Sequence, residues 1–221
     1  MDLLVPQPRP KESNREYACR VLRMNIMTFR LKPGEPLSEI EIAKLFQMSR
    51  TPVHEAITTL HNDWLIEIFP QRGTQVSRID PALVKEGYST RLLLEPGMAE
   101  MAALNASDED IGRIQRLCDR VESKIHSGDL YIEDDIAFHT CIAESSKNMV
   151  VEQLIPIIDT AVMMFVNVTH KKLTEETILT HRMITEAIAR HDPIGARSAM
   201  VMHLNFNRNC IRKLYDGEWE T

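Results

Sequence analysis

Three histidines and one aspartate in the second half of the chain have the types and spacing of a divalent metal site. Asp135 and His139 are four residues apart in one predicted helix, so their side chains share a face. His181 and His203 fall in two other predicted helices, each on the face that also carries the apolar residues. Such groups inside a helical bundle are costly unless they are paired or bound. One carboxylate and three imidazoles suit Zn, Ni or Mn.

A hydrogen-bonded core is the alternative interpretation of the same four residues. A single inward histidine is more often a hydrogen-bonded core residue than a ligand, and one Asp–His pair is a weak signal alone. Because the four groups come from three different helices, the metal hypothesis gains weight. The residues by themselves leave both interpretations open.

A second pair, Arg91 and Glu95, is also spaced four apart, in the first predicted helix of this half. As a surface ion pair it would add little to stability. The three leucines between them indicate that at least one member is partly buried. A guanidinium held near a metal would bind a small carboxylate through two hydrogen bonds. The structural pair and the ligand-binding arginine are both consistent with the sequence.

The elements that must position these residues are helices. From residue 81 onward the sequence shows no strand signal, and apolar residues recur at helical spacing. Ser107 and Asp110 have the spacing of a capping box, and Asp192-Pro193 combines a cap residue with proline at the first helical position. We expect an all-α antiparallel bundle of six helices, over 81–104, 107–126, 130–145, 148–169 (kinked at Pro156), 174–190 and 193–215.

The first half contains two short helices joined by a tight turn, within Leu37–Leu60. Ser38 and Glu41 have capping-box spacing, and Ser49 is a good N-cap for the second helix, whose first turn contains Pro52. Each helix has an apolar and a polar face. The inward set is Ile42, Leu45, Phe46, Val53, Ala56, Ile57 and Leu60, and the outward set is Arg50, Thr51, His54 and Thr58.

Two short strand patterns follow this helix pair. Residues 63–69 are rich in β-forming types, 70–73 are typical of a turn, and 74–77 predict a second strand. An ordinary αα-hairpin is the alternative, but the added wing favours a winged helix-turn-helix, whose second helix presents side chains to base edges in the major groove. We therefore expect a mainly α protein, with a flexible tail at 1–14, a winged helix-turn-helix at 15–79 and a helical bundle at 80–221.

Charge is distributed unevenly between the two halves. Residues 1–79 carry 11 Lys and Arg against 9 Asp and Glu, whereas residues 80–221 carry 15 against 23. The net charge of −6 argues against a protein that coats nucleic acid over its whole surface, and the mildly basic first part is the part expected to meet phosphate.

The sequence also indicates a cytoplasmic protein with no membrane partner. It contains no apolar run of membrane-spanning length and no signal peptide. Its four cysteines are scattered, which indicates free thiols.

At this point the residues resemble those of the GntR superfamily of bacterial transcriptional regulators, in the FadR-like branch with an all-helical FCD ligand-binding domain. Six bundle helices rather than seven resemble the shorter, VanR-like version. In the first half the matching residues are Leu37-Ser38-Glu39, Ser49–Ile57 and Arg72-Gly73. In the second half they are Arg91–Glu95, Asp135–His139, Ser146-Lys147-Asn148, His181, Ala187-Ile188 and His203-Leu204.

For the first half, the resemblance implies a recognition helix in the major groove and a wing on the backbone or minor groove. The implied DNA-binding residues are Arg50, Thr51, Pro52, His54, Arg72 and Gly73. The chain departs from the family where His54 and Ile40 replace arginines, which removes contacts worth about 1–3 kcal/mol each when they are bidentate to a base. An unusual operator or weaker binding is expected. Gln47 replaces the family's turn glycine, so we expect slight strain there.

For the second half, the resemblance implies that Asp135, His139, His181 and His203 bind a divalent metal. It also implies a small organic acid as effector, with Arg91 and Asn148 lining its pocket. The expected molecule is a homodimer and non-enzymatic regulator, in the commoner case a repressor, on a palindromic double-stranded operator. A metal-responsive regulator without an organic effector is one alternative. A metal-dependent hydrolase is another, but no spare general base is evident beside the ligands.

Overall fold

The computed structural model describes residues 3–78, 80–129, 131–155, 158 and 175–212. The chain divides into two compact units, Met1–Asp80 and Pro81–Thr221. Among the described residues, none of the helices combines the length and the apolar character needed to cross a bilayer. The architecture is mainly helical, with one small antiparallel sheet in the first unit, as the sequence predicted.

The first unit is built on three helices whose apolar faces meet. The second and third carry the predicted pattern, since Val53, Ala56 and Leu60 are fully buried whereas Arg50 and His54 are exposed. Leu45 is the exception in the predicted inward set, because it lies at the end of its helix and is 42% exposed. The bounds are Asn14–Met27 (α1), Glu39–Leu45 (α2) and Arg50–Asn62 (α3).

The residues before α1 lie against it. The Leu4 amide donates to Asn25 Oδ1 at 2.8 Å, and the Tyr17 hydroxyl donates to the Pro6 carbonyl at 3.0 Å. Ser13 caps α1 in a full capping box with Glu16. The sequence interpretation of this segment as a flexible tail rested on its three prolines, and these contacts to α1 could not be deduced from them.

The wing is a three-stranded antiparallel sheet in the order β1-β3-β2. The two predicted strands form a hairpin in which Phe69 pairs with Gly73. The sequence analysis missed the third strand, at the sheet edge, because it is two residues long and contains proline, which lacks an N–H and is confined to edge positions. The bounds are Pro36–Leu37 (β1), Ile66–Phe69 (β2) and Gly73–Val76 (β3).

The second unit contains the helices predicted for it, with ends within two residues of the expected ones where the structure describes them. The bounds are Pro81–Asn105 (α4), Asp108–Ser127 (α5), Ile132–Ser145 (α6), helical residues 149–155 (α7), Glu175–Ala189 (α8) and Pro193–Arg212 (α9). The predicted kink at Pro156, and the predicted helix ends at 169 and 215, lie outside the described residues.

Local sequence fixes several of these helix ends. Ser107 and Asp110 form the predicted capping box at the start of α5, and Gly128 ends that helix in the left-handed region at φ 76°. Asp192 accepts from the Gly195 amide at 2.9 Å at the start of α9. Since α4 packs on α6, α8 and α9, these four helices enclose the core in which the candidate site lies.

Candidate metal centre and DNA-reading face

Three imidazoles from three helices meet in the core of the second unit. His139 lies on α6, His181 on α8 and His203 on α9, and each is at most 1% exposed. One potential ligand nitrogen from each ring lies within 4.8 Å of the other two. Such separations are compatible with nitrogens placed about 2 Å from a common cation. The structure therefore brings together the three histidines that the sequence singled out.

Asp135 completes the cluster from one turn before His139. Its Oδ1 lies 3.4 Å from Nε2 of His181, and its Oδ2 lies 4.0 Å from Nε2 of His139. The carboxylate is 1% exposed. The predicted face shared by Asp135 and His139 is therefore present, and it points inward.

The ring of His139 is oriented by a carboxylate from α4. Nδ1 of His139 donates to Glu95 Oε2 at 2.6 Å, because a carboxylate can only accept. Glu95 also accepts from Arg91 Nε at 2.5 Å, and both residues are fully buried. Orientation of a metal-binding histidine by a carboxylate on its other nitrogen is a common outer-shell arrangement. The sequence analysis identified the Arg91–Glu95 pair but missed this contact of Glu95, since nothing local links residues 44 positions apart.

The ring of His203 is oriented in a similar way from α8. Thr180 Oγ1 lies 3.0 Å from Nδ1 of His203, and the same hydroxyl lies 2.8 Å from the Glu176 carbonyl. Because the hydroxyl has one hydrogen, donating it to the carbonyl leaves its oxygen to accept from Nδ1–H. The lone pair of His203 then sits on Nε2, where Asn207 Nδ2 lies 3.1 Å away.

Four buried polar atoms in this cluster lack hydrogen-bond partners among the described residues: both oxygens of Asp135 and both ring nitrogens of His181. Leaving a buried donor or acceptor unsatisfied costs about 1–3 kcal/mol each. A carboxylate and an imidazole nitrogen are also the ligand types that Zn, Ni and Mn accept. The donor set therefore fits a divalent cation better than it fits a self-sufficient hydrogen-bonded core.

Burial keeps the imidazoles in the form that a metal requires. Desolvation lowers the pKa of His181 and of His203 well below the ordinary value, with the nearby His139 and Arg91 charges adding to the effect. Burial alone would raise the pKa of Glu95, but the charges and hydrogen bonds of Arg91 and His139 outweigh it and hold that pKa at about 2. Desolvation raises the pKa of Asp135. Neutral imidazole lone pairs are what a cation binds.

The two predicted effector-binding residues are placed differently. Arg91 is fully buried beside the cluster, and its Nη2 lies 3.3 Å from Nε2 of His139. Asn148 lies at the start of α7, where its Oδ1 accepts from the amides of Val150 and Val151. Among the described residues, no hydrogen bond joins Asn148 to the cluster. Its effector role remains a prediction.

In the first unit, the predicted DNA-binding residues of α3 lie on its exposed N-terminal turns. Arg50 and Thr51 are exposed, Pro52 is half-buried in the first turn, and the side chain of His54 is 62% exposed. Gln47 in the preceding turn has φ 53°, the left-handed conformation expected where the resemblance implies glycine. Ser49 precedes α3 in extended backbone but makes no side-chain cap bond.

The wing tip presents the other predicted pair. Arg72 is exposed in the turn between β2 and β3, and its amide donates to the Phe69 carbonyl at 3.0 Å. Gly73 has φ 108°, which a residue with a side chain rarely adopts. The backbone of the tip therefore requires glycine at this position, which leaves the arginine side chain free of the sheet.

Comparison with known proteins identifies both units. Residues 15–76 match the model of bacterial regulatory proteins of the gntR family, and residues 86–206 match the FCD domain. The E. coli McbR/YncC structure superposes with a TM-score of 0.79 at 20% identity, covering 92% of this chain and 99% of that one. A putative GntR regulator from Rhodococcus sp. RHA1 gives 0.77 at 20% identity, covering 91% and 98%. At these identities the structures show the fold.

Sequence relatives agree with the family models. The HTH-type transcriptional repressor RspR of Escherichia coli (strain K12) is 27% identical over 94% of this chain and 93% of its own length. The HTH-type transcriptional regulator LutR of Bacillus subtilis (strain 168) is 30% identical over 79% of this chain and 90% of its own. These relatives are transcriptional regulators and not enzymes, so the hydrolase interpretation is dropped. The chain belongs to the GntR family of bacterial transcriptional regulators and carries an FCD domain.

Proposed function

We propose that this regulator is a repressor whose operator affinity is set by a small carboxylate bound beside a divalent metal in the second unit. The observation that supports it most is the group of buried Asp135 and His181 atoms that lack hydrogen-bond partners among the described residues. A buried cluster of this kind is stabilised by a ligand that satisfies all of its members at once.

Asp135, His139, His181 and His203 would hold the metal. Zn, Ni and Mn all accept this mixture of one oxygen and three nitrogens, so the donor set does not distinguish between them. When bound, the cation supplies positive charge that attracts the oxygens of an organic acid. Glu95 and Thr180 keep the lone pairs of His139 and His203 directed inward, through the hydrogen bonds described above.

Two N–H donors favour a carboxylate as the second ligand. Arg91 Nη2 lies 3.3 Å from Nε2 of His139, and Asn207 Nδ2 lies 3.1 Å from Nε2 of His203. Metal binding would use these same two lone pairs, and both N–H groups could then donate to the oxygens of a second ligand. Carboxylate oxygens are strong acceptors, and a guanidinium can bind them through two bonds. Asn148 is the further predicted contact to the acid.

The first unit supplies the DNA contacts. Arg50, Thr51, Pro52 and His54 on α3 would meet base edges, and the wing tip at Arg72 and Gly73 would meet backbone or minor groove. As a homodimer, the protein would present two such helices to a palindromic duplex, with half-sites about 34 Å or one helical turn apart.

Ligand binding can change DNA affinity only if the acid binds unequally to the DNA-competent and DNA-incompetent forms of the protein. The candidate bistable element is the joint at residues 79–81 together with α4. That helix begins at Pro81 and carries Arg91 and Glu95, so it links the joint to the cluster within one element. Residue 79 itself lies outside the described residues.

The test is to follow operator affinity while metal-free protein is titrated with Zn, Ni or Mn, with and without a panel of small organic acids. The proposal predicts that an acid changes affinity only when metal is present. If metal alone produces the full change and no acid adds to it, the protein is instead a metal-responsive regulator. If neither metal nor acid changes affinity, the regulatory proposal is wrong.

A further inference from the structure

A carboxylate lies among the basic residues of the DNA-reading face. Glu39 is the first residue of α2. Its Oε1 lies 2.8 Å from Nδ1 of His54, and its Oε2 accepts from Arg50 Nη2 at 3.3 Å. One side chain of the first helix therefore contacts two side chains of the proposed reading helix.

A negative charge at this position opposes phosphate binding, since affinity for the duplex comes largely from neutralising its charge. The carboxylate therefore lowers the affinity for the duplex unless it assists binding in another way. Its hydrogen bonds do so, because they hold the side chains of His54 and Arg50 in defined positions. The pKa of Glu39 is lowered, chiefly by the hydrogen bond with His54, so the group is ionised at neutral pH.

The contact fixes which way the His54 ring points. A carboxylate only accepts hydrogen bonds, so the His54 nitrogen beside Glu39 must carry the proton. The other nitrogen, Nε2, makes no hydrogen bond within the described part of the chain, and the side chain is 62% exposed. In a neutral ring Nε2 is then an acceptor, whereas in a protonated ring it is a donor.

Glu39 is the ion-pairing partner of the His54 ring from α2, and Arg50 on α3 shares that carboxylate. The other elements packed against α3 are α1 and β2. Among their described residues, none forms an ion pair or hydrogen bond with the ring. The charged groups beside the His54 ring are therefore Glu39 and Arg50, and the rest of the side chain is exposed.

On the basis of the proposed DNA-binding face of α3, we infer that His54 is a specificity-determining residue. Glu39 orients its ring so that Nε2 contacts one base in each half-site. The neutral ring accepts from an exocyclic amino group, which adenine N6 and cytosine N4 present in the major groove. An arginine at this position could only donate, and so would select guanine O6 or N7. The histidine is therefore expected to select a different base from the one that arginine selects.

The experiment is selection of duplexes from a randomised library at fixed salt and pH 8.5, with the full chain. The wild type is expected to prefer adenine or cytosine at one position per half-site, by about fivefold. His54→Arg is expected to select guanine at that position, because an arginine can only donate.

Two substitutions test the positioning role of Glu39. Glu39→Ala is expected to broaden the preference at the His54 position, whereas Glu39→Gln retains an oxygen that can accept from Nδ1–H and should preserve the preference at pH 8.5. Glu55→Gln is the matched control, because it removes an exposed carboxylate from α3 itself and should leave that position unchanged.

The possible failures can be told apart. If the wild type binds duplexes selectively but His54→Arg selects the same bases as the wild type, the inference about His54 is wrong and the proposed function stands. If Glu39→Ala keeps the wild-type preference, Glu39 does not position the ring. If the wild type selects no duplex at all, the proposed DNA face is wrong and this inference fails with it.

Discussion

Imidazole lone pairs decide what the histidine cluster can bind. In His139 and His203, an outer hydrogen bond on Nδ1 leaves Nε2 directed toward the other rings. His181 has no such outer partner among the described residues, and it stacks on Phe138 with ring centroids 4.4 Å apart. Two candidate ligands are thus oriented by hydrogen bonds and one by packing, so we expect each to differ in its sensitivity to substitution.

Glu95→Ala tests the orientation of His139. Without the carboxylate, the ring loses the bond that fixes its tautomer, so we expect metal affinity to fall by about 10- to 100-fold. Glu95→Gln keeps an accepting oxygen and should lose less. Competition with a chelator of known affinity measures both. Glu86→Gln, an exposed change on the same helix, is the control and should bind metal as the wild type does.

The sequence revealed the four candidate ligands because their helical spacing is local information. Asp135 and His139 share a face by periodicity, and His181 and His203 each lie on the apolar face of a predicted helix; the resemblance to a known family then matched all four. The role of Glu95 could not be found this way, because it depends on which helix packs against α6, and Glu95 on α4 is 44 residues from His139. Asn207 is four residues from His203 on α9, so its spacing was a local signal that we did not use.

At the scale of elements, charged side chains join the helices of the second unit. Asp110 accepts from Ser107 within its capping box and from Lys147 Nζ at 2.6 Å, in the turn between α6 and α7. On the neighbouring side, the buried Asp134 of α6 is held by Arg120 and Lys124 of α5. These contacts tie α5 to the helix that carries two of the candidate ligands.

Asp110→Asn tests the first of these ties. We expect a loss of about 1 kcal/mol in the free energy of unfolding at pH 7, since the charged bond to Lys147 and part of the cap are lost. The hydrogen bond from Lys147 is the main reason that the pKa of Asp110 is lowered to about 2. Its stabilisation is therefore full above the unfolded pKa of about 4 and is lost as pH falls toward 2.

Urea unfolding between pH 7 and pH 3 measures this effect. The difference between wild type and Asp110→Asn should shrink below about pH 4, because the unfolded wild type takes up a proton at Asp110 there while the folded protein still holds the charge. Asp119→Asn, an exposed substitution in the same helix, should leave stability nearly unchanged. A difference between wild type and Asp110→Asn that is constant over the whole range would show that the carboxylate charge of Asp110 does not contribute.

Arg50→Ala tests the proposed reading helix. We expect loss of about 1–3 kcal/mol of discrimination between the operator and an unrelated duplex, because a bidentate base contact is removed. Metal content should stay unchanged, since Arg50 lies in the other unit. Titration of both duplexes at one salt concentration measures the ratio, with Arg30→Ala as an exposed arginine control in the same unit. An unchanged ratio would remove Arg50 from the set of base contacts.

The helices and the hairpin were predictable from periodicity and caps. The edge strand of the sheet and the burial at the end of α2 were not. The Ser107–Asp110 box and Gly128 are local signals, and they mark the start and the end of α5 as expected. The short strand at Pro36–Leu37 exists only because β3 pairs with it. Leu45 fits the apolar pattern but is 42% exposed at the last position of α2, whereas the adjacent Phe46 is buried.

At the scale of the whole molecule, the account requires the ligand of one unit to alter the DNA affinity of the other. Coupling free energies between such sites are typically about 1–3 kcal/mol, which is about 5- to 150-fold in affinity. We expect an effective acid to change operator affinity of the metal-loaded protein within this range. By reciprocity, operator DNA should change the affinity for the acid by the same factor, which calorimetry with and without the duplex can check.

The central claim is that four side chains of the helical unit bind one divalent cation, and metal content per chain tests it most directly. Wild-type protein loaded with Zn, Ni or Mn and then desalted should contain one ion per chain by elemental analysis. The double variant His181→Ala, His203→Ala should contain none, while circular dichroism confirms that its helices persist. Full metal retention by the folded double variant, or a wild type that retains none of the three metals, would contradict the account.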